Sequence, residues 1–189
     1  LVGEPNGLTR IGMSWERIEE LLGKEQYDII GINSNFTPQT KMAFGVAEIA
    51  KRVNPKTLVI AGGVNARNLW PRFMKNGSFD IVCTTEGEKV IQDIVGRFKY
   101  GFMYEGIEGT IYFKDGKPKI SPAKPHTTFT DLDLLPMPAW DKLPFKKYET
   151  IASPHGVDLT GKNYRYAPIM TSRGCPFQCS YCHISLERF

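Results

Sequence analysis

The sequence predicts an α/β fold built on a parallel β-sheet, and three observations support this prediction. Short apolar runs typical of buried strands alternate with segments whose apolar residues recur at helical spacing. This strand-then-helix order occurs three times between Tyr27 and Phe98. Parallel strands in this order are joined by right-handed crossovers, which place helices on the faces of the sheet.

The first helix is predicted within "SWERIEELLG", residues 14–23. Ser14 is a favourable N-cap, Glu16 suits the first turn, and Gly23 ends the pattern. Four apolar residues recur on one face of this helix: Trp15, Ile18, Leu21 and Leu22.

The first strand-then-helix unit follows directly. "YDIIGINSN" (27–35) predicts a buried strand, and "TPQTKMAFGVAEIAKRVNP" (37–55) predicts a helix. Thr37 is predicted to cap this helix and Pro38 to occupy its first position, since proline fits the first helical turn. The Asn54–Pro55 pair is predicted to end it.

Two further units repeat the pattern. "TLVIAGG" (57–63) predicts a strand ending in a glycine pair, and residues 66–77 predict an irregular helix that Pro71 must begin or kink. "FDIVCTTEGE" (79–88) predicts a third strand and "EKVIQDIVGRF" (88–98) a third helix. Ligands of such sheets bind beyond the carboxyl ends of the strands. Those ends are "NSNFTP", "GGVNAR" and "TTEGE".

The pattern changes after Tyr100. Residues 109–121 predict a β-hairpin that turns at Asp115–Gly116. Five of the 13 prolines then fall between residues 122 and 144, which predicts an extended linker. We expect the linker to lie on a protein surface, because its leucines and Trp140 are too apolar for solvent. "YAPIMTSRG" (166–174) predicts a short strand leading into a cysteine-rich loop.

The amino-acid composition limits which binding partners and which cellular compartment we expect for this chain. The net charge of +4, from 24 basic and 20 acidic residues, is too balanced to indicate nucleic-acid binding. No apolar run is long enough to predict a membrane span, and the first residues lack the pattern of a secretory signal. The four cysteines do not resemble a secreted disulfide framework, so we expect a reducing, cytoplasmic location. Because residue 1 is Leu, we expect the chain to have been cut or processed before it.

The sequence gives a candidate metal site but no catalytic residue. Cys175, Cys179 and Cys182 form a C-x3-C-x2-C pattern, and three thiolates on one loop can bind three irons of a cubane cluster. Cys83 lies in a predicted buried strand, so one iron would lack a protein thiolate. The alternatives are zinc with His183 as a fourth ligand, or free thiols; zinc ribbons favour two separate C-x2-C pairs. Glu86 and Glu88 fit helix capping better than acid–base chemistry.

The segment "MTSRGCPFQCSYC" (170–182) resembles the signature loop of radical S-adenosylmethionine (SAM) enzymes. This resemblance implies that Cys175, Cys179 and Cys182 bind a four-iron four-sulfur cluster, with Tyr181 packed beside it. The unligated iron would bind the amino and carboxylate groups of SAM. One electron, from a donor such as a flavodoxin or ferredoxin, would then cleave SAM to a 5′-deoxyadenosyl radical.

The upstream segments "IGINSNFTP", "VIAGG" and "TTEGE" resemble a cobalamin-binding domain that precedes the radical SAM core in one subfamily. Members share the linker signature "DLDLLPMPAWDKLP", found here at 131–144. The resemblance implies a Rossmann-like, flavodoxin-like sheet that lacks its first strand and cradles the nucleotide tail of cobalamin. The implied cofactor-binding residues are Asn33, Ser34, Thr37, Gly62, Gly63, Glu86 and Gly87.

This sequence departs from that subfamily at three positions. Asn33 stands where a small Ser is frequent, Thr85 where a Gly is frequent, and Asn65 where relatives commonly carry His. No His precedes His126, so the resemblance supplies no His ligand for the lower face of cobalt.

The resemblance predicts three regions: a partial cobalamin-binding domain (1–104), a hairpin and linker (105–165), and the truncated start of a radical SAM barrel (166–189). The expected function is reductive SAM cleavage, with cobalamin, for methylation, cyclisation or rearrangement of a small molecule or tetrapyrrole. The anaerobic magnesium-protoporphyrin IX monomethyl ester cyclase type is one such enzyme. We expect these 189 residues alone to be inactive.

Two alternative functions fit parts of the sequence. One is a cobalamin carrier or sensor whose cysteines bind structural zinc. The other is a tRNA-modifying methylthiotransferase, but those enzymes carry additional N-terminal cysteines, and only Cys83 precedes the cysteine loop here.

Overall fold

The computed structural model describes residues 2–3, 9–10, 12–101, 103–124, 128–129, 131–144, 169–174, 177 and 179–181. A short antiparallel pair, β1 (Val2–Gly3) and β2 (Thr9–Arg10), precedes the main sheet. The main sheet contains β3 (Ile29–Asn33), β4 (Leu58–Gly62), β5 (Ile81–Cys83), β6 (Thr110–Lys114) and β7 (Lys117–Ser121).

Five helices connect these strands: α1 (Trp15–Gly23), α2 (Thr40–Val53), α3 (Val64–Asn68), α4 (Trp70–Asn76) and α5 (Gly87–Lys99). Single 3-10 turns span Thr37–Gln39, Leu132–Leu134 and Trp140–Lys142. The chain divides into two compact units, residues 1–128 and 129–189. The sheet and all five helices belong to the first unit.

The predicted α/β fold is confirmed. Strands β3, β4 and β5 are parallel neighbours, and each is followed by helix. The predicted hairpin is also confirmed as β6 and β7, and it turns through Asp115 (φ 52°) and Gly116 (φ 71°). Consecutive residues with positive φ match the right-handed twist of the strands they join.

The sheet is mixed rather than wholly parallel. Strand β6 pairs antiparallel with β5, with Val82 opposite Ile111, so the hairpin adds two strands to the parallel part of the sheet. The sequence indicated the hairpin but not this pairing, because strand alternation does not specify the neighbouring strand. The predicted regions 1–104, 105–165 and 166–189 stay predictions.

Of two predictions about where helices begin, one is wrong and one is confirmed. The predicted cap at Thr37 is wrong: Thr37 begins a 3-10 turn, and α2 starts at Thr40 without a side-chain cap. The residue before that turn is the apolar Phe36, which has no side-chain acceptor for the free amides. The predicted effect of Pro71 is confirmed, because Leu69 separates α3 from α4 and Pro71 lies in the first turn of α4.

The core lies on both faces of the sheet. One cluster contains Ala47 of α2, Val59 of β4 and Phe73 of α4, and the other contains Ile60 of β4 and Ile94 of α5. Alternate residues of β4 therefore serve opposite faces, as the two-residue period of a strand requires. This explains why β4 is an uninterrupted apolar run.

A polar network joins α2 to the amino-terminal edge of the sheet. The ammonium of Lys51 donates to Asp80 Oδ2 at 2.6 Å and to the Thr57 carbonyl at 2.7 Å. Asp80 Oδ2 also accepts from the Val59 amide at 2.7 Å. Both charged side chains are partly buried, at 22% and 27% exposed, so this pair is less accessible to water than an ion pair at the surface.

Asp80→Ala is expected to lower the free energy of unfolding by about 2 kcal/mol, because the partly buried Lys51 ammonium loses its charged partner and the Val59 amide loses its acceptor. Urea denaturation followed by circular dichroism measures this change. Glu19→Gln is the control, since Glu19 pairs with Arg52 at the surface and exposed pairs contribute little. An Asp80→Ala midpoint equal to that of the original chain would contradict the prediction.

Candidate functional site

The carboxyl ends of β3, β4 and β5 lie at the same level of the sheet. Asn33 of β3 pairs with Gly62 of β4, and Ala61 of β4 pairs with Val82 of β5. The loops that follow these strands therefore emerge along one edge, which is where sheets of this class bind ligands.

Backbone hydrogen bonds join the loop after β3 to the loop after β4. The Ser34 amide donates to the Gly62 carbonyl at 2.8 Å. The Ser34 carbonyl accepts from the amides of Asn65 (3.1 Å) and Ala66 (3.3 Å), which belong to the first turn of α3. The Val64 amide points to Asn35 Oδ1 at 3.4 Å. These contacts hold the two loops against each other.

A buried side-chain network reinforces the same junction. Asn65 Nδ2 donates to Ser34 Oγ at 2.8 Å and to Thr40 Oγ1 at 2.9 Å. Ser34 is fully buried, and Thr40 and Asn65 are each 4% exposed. We call these three residues the Asn65 network.

Hydrogen-bond accounting fixes the orientation of the Asn65 amide. The Thr40 hydroxyl donates its single proton to the Thr37 carbonyl at 2.7 Å, so Thr40 Oγ1 must accept from Asn65. Nδ2 therefore faces Thr40, and the amide oxygen points elsewhere. Asn65 Oδ1 is buried and has no hydrogen-bond partner in the described part of the chain.

The two glycines at the end of β4 differ in the space available for a side chain. Gly63 has φ +91°, and a Cβ there would lie 2.5 Å from Asn33 Oδ1, from Asn35 Oδ1 and from the Ser34 carbonyl oxygen. Glycine is required at this position because both the backbone conformation and the close approach exclude a side chain.

Gly62 faces open space. A Cβ on Gly62 would meet no atom within 4 Å among the described residues. We call this space the Gly62 recess. The alternation along β4 places it on the face that carries Leu58 and Ile60, which is the face covered by α5.

The third loop brings a charged pair to this edge. Glu86 stands at the N-cap of α5, although its side chain makes no capping hydrogen bond, and Gly87 begins the helix. A Cβ on Gly87 would also meet no described atom within 4 Å. Burial lowers the pKa of the Arg67 guanidinium, and the nearby Glu86 carboxylate acts in the opposite direction. The Glu86 carboxylate therefore favours the charged form of Arg67.

The structure brings together Asn33, Ser34, Gly62 and Gly63 of the predicted cofactor residues. Ser34 is buried and holds the loops, whereas Thr37 is exposed at the start of its 3-10 turn. Asn65 was expected only as a departure from the subfamily, and no role was predicted for Thr40. The polar run "NSN" directly after a buried strand was the signal for a hydrogen-bonded junction, but its partners lie on other elements.

Two exposed apolar residues flank this junction. Phe36 is 65% exposed in the loop after β3, and Val64 is 48% exposed directly after Gly63. Apolar side chains placed beside a recess favour contact with a ligand that has apolar surface.

The cysteine loop belongs to the second unit. Cys179 is exposed, and Tyr181 is 87% exposed. Cys175 and Cys182 lie outside the described residues, so the cluster ligands and the position of Tyr181 stay predictions, as do the residue assignments for cobalamin.

Cys83 is a chemically inert thiol at the end of β5. Burial raises its pKa to about 11. At pH 8 the reactive thiolate would be roughly one thousandth of the population. Iodoacetamide is therefore expected to leave Cys83 unmodified in the folded chain while it alkylates the exposed Cys179. Peptide mass spectrometry measures both sites, with guanidinium-unfolded chain as the positive control; equal labelling of both in the folded chain would contradict the prediction.

The matched family is the B12 binding domain, over residues 8–95. An uncharacterized methyltransferase of Pyrococcus horikoshii is 32% identical over 176 residues, covering 93% of this chain and 35% of that protein. The anaerobic magnesium-protoporphyrin IX monomethyl ester cyclase of Rubrivivax gelatinosus is 31% identical over 175 residues, covering 90% and 29%. The chain thus spans about a third of the length of these relatives.

Two solved structures share the fold. The cobalamin-dependent SAM radical enzyme OxsB with aqua-cobalamin bound superposes with a TM-score of 0.52 at 24% identity, covering 60% of this chain and 16% of that one. The radical SAM methyltransferase TsrM from Kitasatospora setae gives 0.52 at 16% identity, covering 61% and 23%.

The fold and its glycine-lined edge define a Rossmann-like domain of the B12-binding class. The chain contains a B12-binding domain over residues 8–95, and its relatives include a methyltransferase and the anaerobic magnesium-protoporphyrin IX monomethyl ester cyclase. Within the described residues, no helix is long and apolar enough to cross a membrane.

Proposed function

We propose that this chain supplies the cobalamin-holding domain and the cluster loop of a radical SAM enzyme. The observation that carries the proposal is the Gly62 recess, at the carboxyl ends of β3, β4 and β5, which all fall within the matched B12-binding region. A large cofactor must approach the backbone closely, and Gly62 and Gly87 both leave that approach open.

The residues at this edge fit cobalamin in three respects. Gly63 allows the loops after β3 and β4 to approach closely, and backbone hydrogen bonds hold these loops together beside Gly62. Phe36 and Val64 offer apolar surface to the corrin or to the nucleotide base. Arg67 and Glu86 offer polar contacts for peripheral amides and phosphate. Cobalamin supplies a cobalt centre that can accept and donate a methyl group.

The cluster part of the proposal rests on the cysteine loop and on the relatives. Cys175, Cys179 and Cys182 would hold a four-iron four-sulfur cluster at which SAM is cleaved, with electrons from a flavodoxin or ferredoxin. The names of the relatives indicate methyl transfer or oxidative cyclisation. We therefore propose methylation, cyclisation or rearrangement of a small molecule or tetrapyrrole. A carrier with structural zinc gains no support from these relatives.

The test is anaerobic purification of the 189-residue chain, followed by reconstitution with iron, sulfide and hydroxocobalamin. We expect a retained corrinoid spectrum after gel filtration, together with iron and sulfide in about equal amounts. Chain that retains no corrinoid would overturn the cobalamin proposal. Zinc in place of iron, with no visible absorbance from a cluster, would overturn the cluster proposal.

A further inference from the structure

The two outer strands of the main sheet differ in how their free edges are protected. Strand β7 carries Pro118, which has no amide hydrogen to donate, between the exposed Lys117 and Lys119. Proline and lysine on an outer strand oppose pairing with another chain. Strand β3, "IIGIN", contains neither a proline nor a charged residue. The free edge of β3 therefore lacks the residues that protect β7.

The backbone groups of three β3 residues point to this free edge. On the other side of β3, the Asp28 carbonyl accepts from the Leu58 amide and the Ser34 amide donates to the Gly62 carbonyl, both at 2.8 Å. Because backbone groups alternate in direction along a strand, the even-numbered residues of β3 bond to β4. The other residues of β3 point their amides and carbonyls away from β4: Ile29, Gly31 and Asn33. Among the described strands, only β4 pairs with β3.

We propose that this edge is an interaction surface for a second copy of the same chain, through antiparallel pairing of two β3 strands about a two-fold axis at Gly31. In that register, Gly31 lies opposite Gly31 of the second copy, and Ile29 lies opposite Asn33. Each of these opposed pairs can exchange two N–H···O bonds, which gives about six in all. This association goes beyond the proposed function and does not depend on it.

The side chains of β3 are complementary to those of a second copy. The same register places Ile30 opposite Ile32 of the second copy, on the face where both residues pack against the cluster that also contacts Leu22. Cross-strand pairs of β-branched side chains stabilise a sheet. Ile30 and Ile32 are only half-buried in the single chain, so pairing would remove further apolar surface from water.

The centre of the pairing is free of side chains. Gly31 is exposed, and a Cβ on it would meet no described atom within 4 Å. Two five-residue strands bury less area than a typical stable interface. We therefore expect a weak dimer, with a dissociation constant of about 10–100 µM.

Sedimentation equilibrium of the 189-residue chain tests for this dimer. The protein concentration is varied between about 5 and 500 µM, which brackets the expected dissociation constant. A reducing agent and a chelator are present throughout, so that neither disulfides nor metal-linked cysteines can join two copies.

Charged variants of Gly31 test the register. Gly31→Lys and Gly31→Glu each place two like charges opposite each other across the two-fold axis, and each alone is expected to weaken association about five- to tenfold. An equimolar mixture of the two variants is expected to restore association, because opposite charges then meet. Gly31→Ala is the matched uncharged control and is expected to associate like the original chain.

Two further variants distinguish the edges of the sheet. Gly31→Pro removes an amide hydrogen that faces the free edge and none that bonds to β4, so it is expected to fold and to show no dimer at about 500 µM. Lys119→Glu reverses a charge on the other outer strand, and we expect it to leave association unchanged. Circular dichroism checks that each variant folds, and the charged pair decides if Gly31→Pro does not.

An original chain that stays monomeric over this concentration range would overturn the proposal. Slow hydrogen exchange at the Gly31 amide of such a monomer would show that another segment of the same chain covers the edge. A dimer that is unaffected by Gly31→Lys and Gly31→Glu would place the interface elsewhere and would equally overturn it. Corrinoid retention is measured on the same samples, and its absence from a dimeric chain would overturn the proposed function alone.

Discussion

Gly63→Ala is expected to abolish cobalamin binding by the 189-residue chain and to lower its free energy of unfolding by about 3 kcal/mol. A Cβ at this position would lie 2.5 Å from three oxygen atoms, and one of these is the backbone carbonyl oxygen of Ser34. The backbone also has φ +91°, which side chains disfavour. The variant must therefore separate the two loops that form the wall of the recess.

Gly62→Ala is the matched variant one residue earlier. Its Cβ meets no described atom within 4 Å, so the free energy of unfolding is expected to change by less than about 0.5 kcal/mol. The new methyl group would occupy space that the proposed cofactor needs. We expect cobalamin affinity to fall by about tenfold or more, since overpacking a close contact costs about 1–3 kcal/mol.

The pair is measured by urea denaturation without cofactor and by equilibrium titration with hydroxocobalamin. Binding lost in Gly62→Ala with stability retained would locate the cofactor at the recess, independently of any effect on folding. Normal cobalamin affinity in Gly62→Ala would place the cofactor elsewhere. A Gly63→Ala chain as stable as the original would contradict the close approach of the two loops.

Substitution of any one of Cys175, Cys179 and Cys182 by alanine is expected to prevent stable cluster assembly. The loop contains three cysteines, and the proposed cluster uses the thiolates of all three. A cubane cluster bound by only two of them would have one more iron without a protein ligand and less negative ligand charge to balance its irons. We expect the brown absorbance and the bound iron and sulfide to fall to background after anaerobic reconstitution and desalting. Cobalamin binding is expected to persist, because the Gly62 recess belongs to the first unit.

Cys83→Ala is the control for the cysteine series. Cys83 of β5 is buried in the core cluster that also contains Ile60 of β4 and Ile94 of α5, and burial raises its pKa to about 11. We expect this variant to assemble as much cluster as the original chain, with a stability loss of about 1 kcal/mol for the removed sulfur. Full cluster content in a Cys179→Ala chain would instead contradict the assignment of that ligand.

The repeating strand-then-helix order, the hairpin and the helix break near Pro71 could all be predicted from the sequence. Each of these depends on local chemistry: apolar runs, the positive φ tolerated by Asp115–Gly116, and the missing amide hydrogen of proline. The sequence also placed the glycine pair at the end of a strand, where a ligand edge was expected.

Only the tertiary structure decided which neighbours those elements acquire. The antiparallel pairing of β6 with β5, the 3-10 turn at Thr37, and the union of Ser34, Thr40 and Asn65 all join residues by contacts between separate segments. Sequence spacing cannot reveal such contacts, because hydrogen bonds and packing depend on distances in space. The difference between Gly62 and Gly63 also depends on distances in space. The atoms around Gly63 leave no room for a side chain, whereas the space beside Gly62 is open to a ligand.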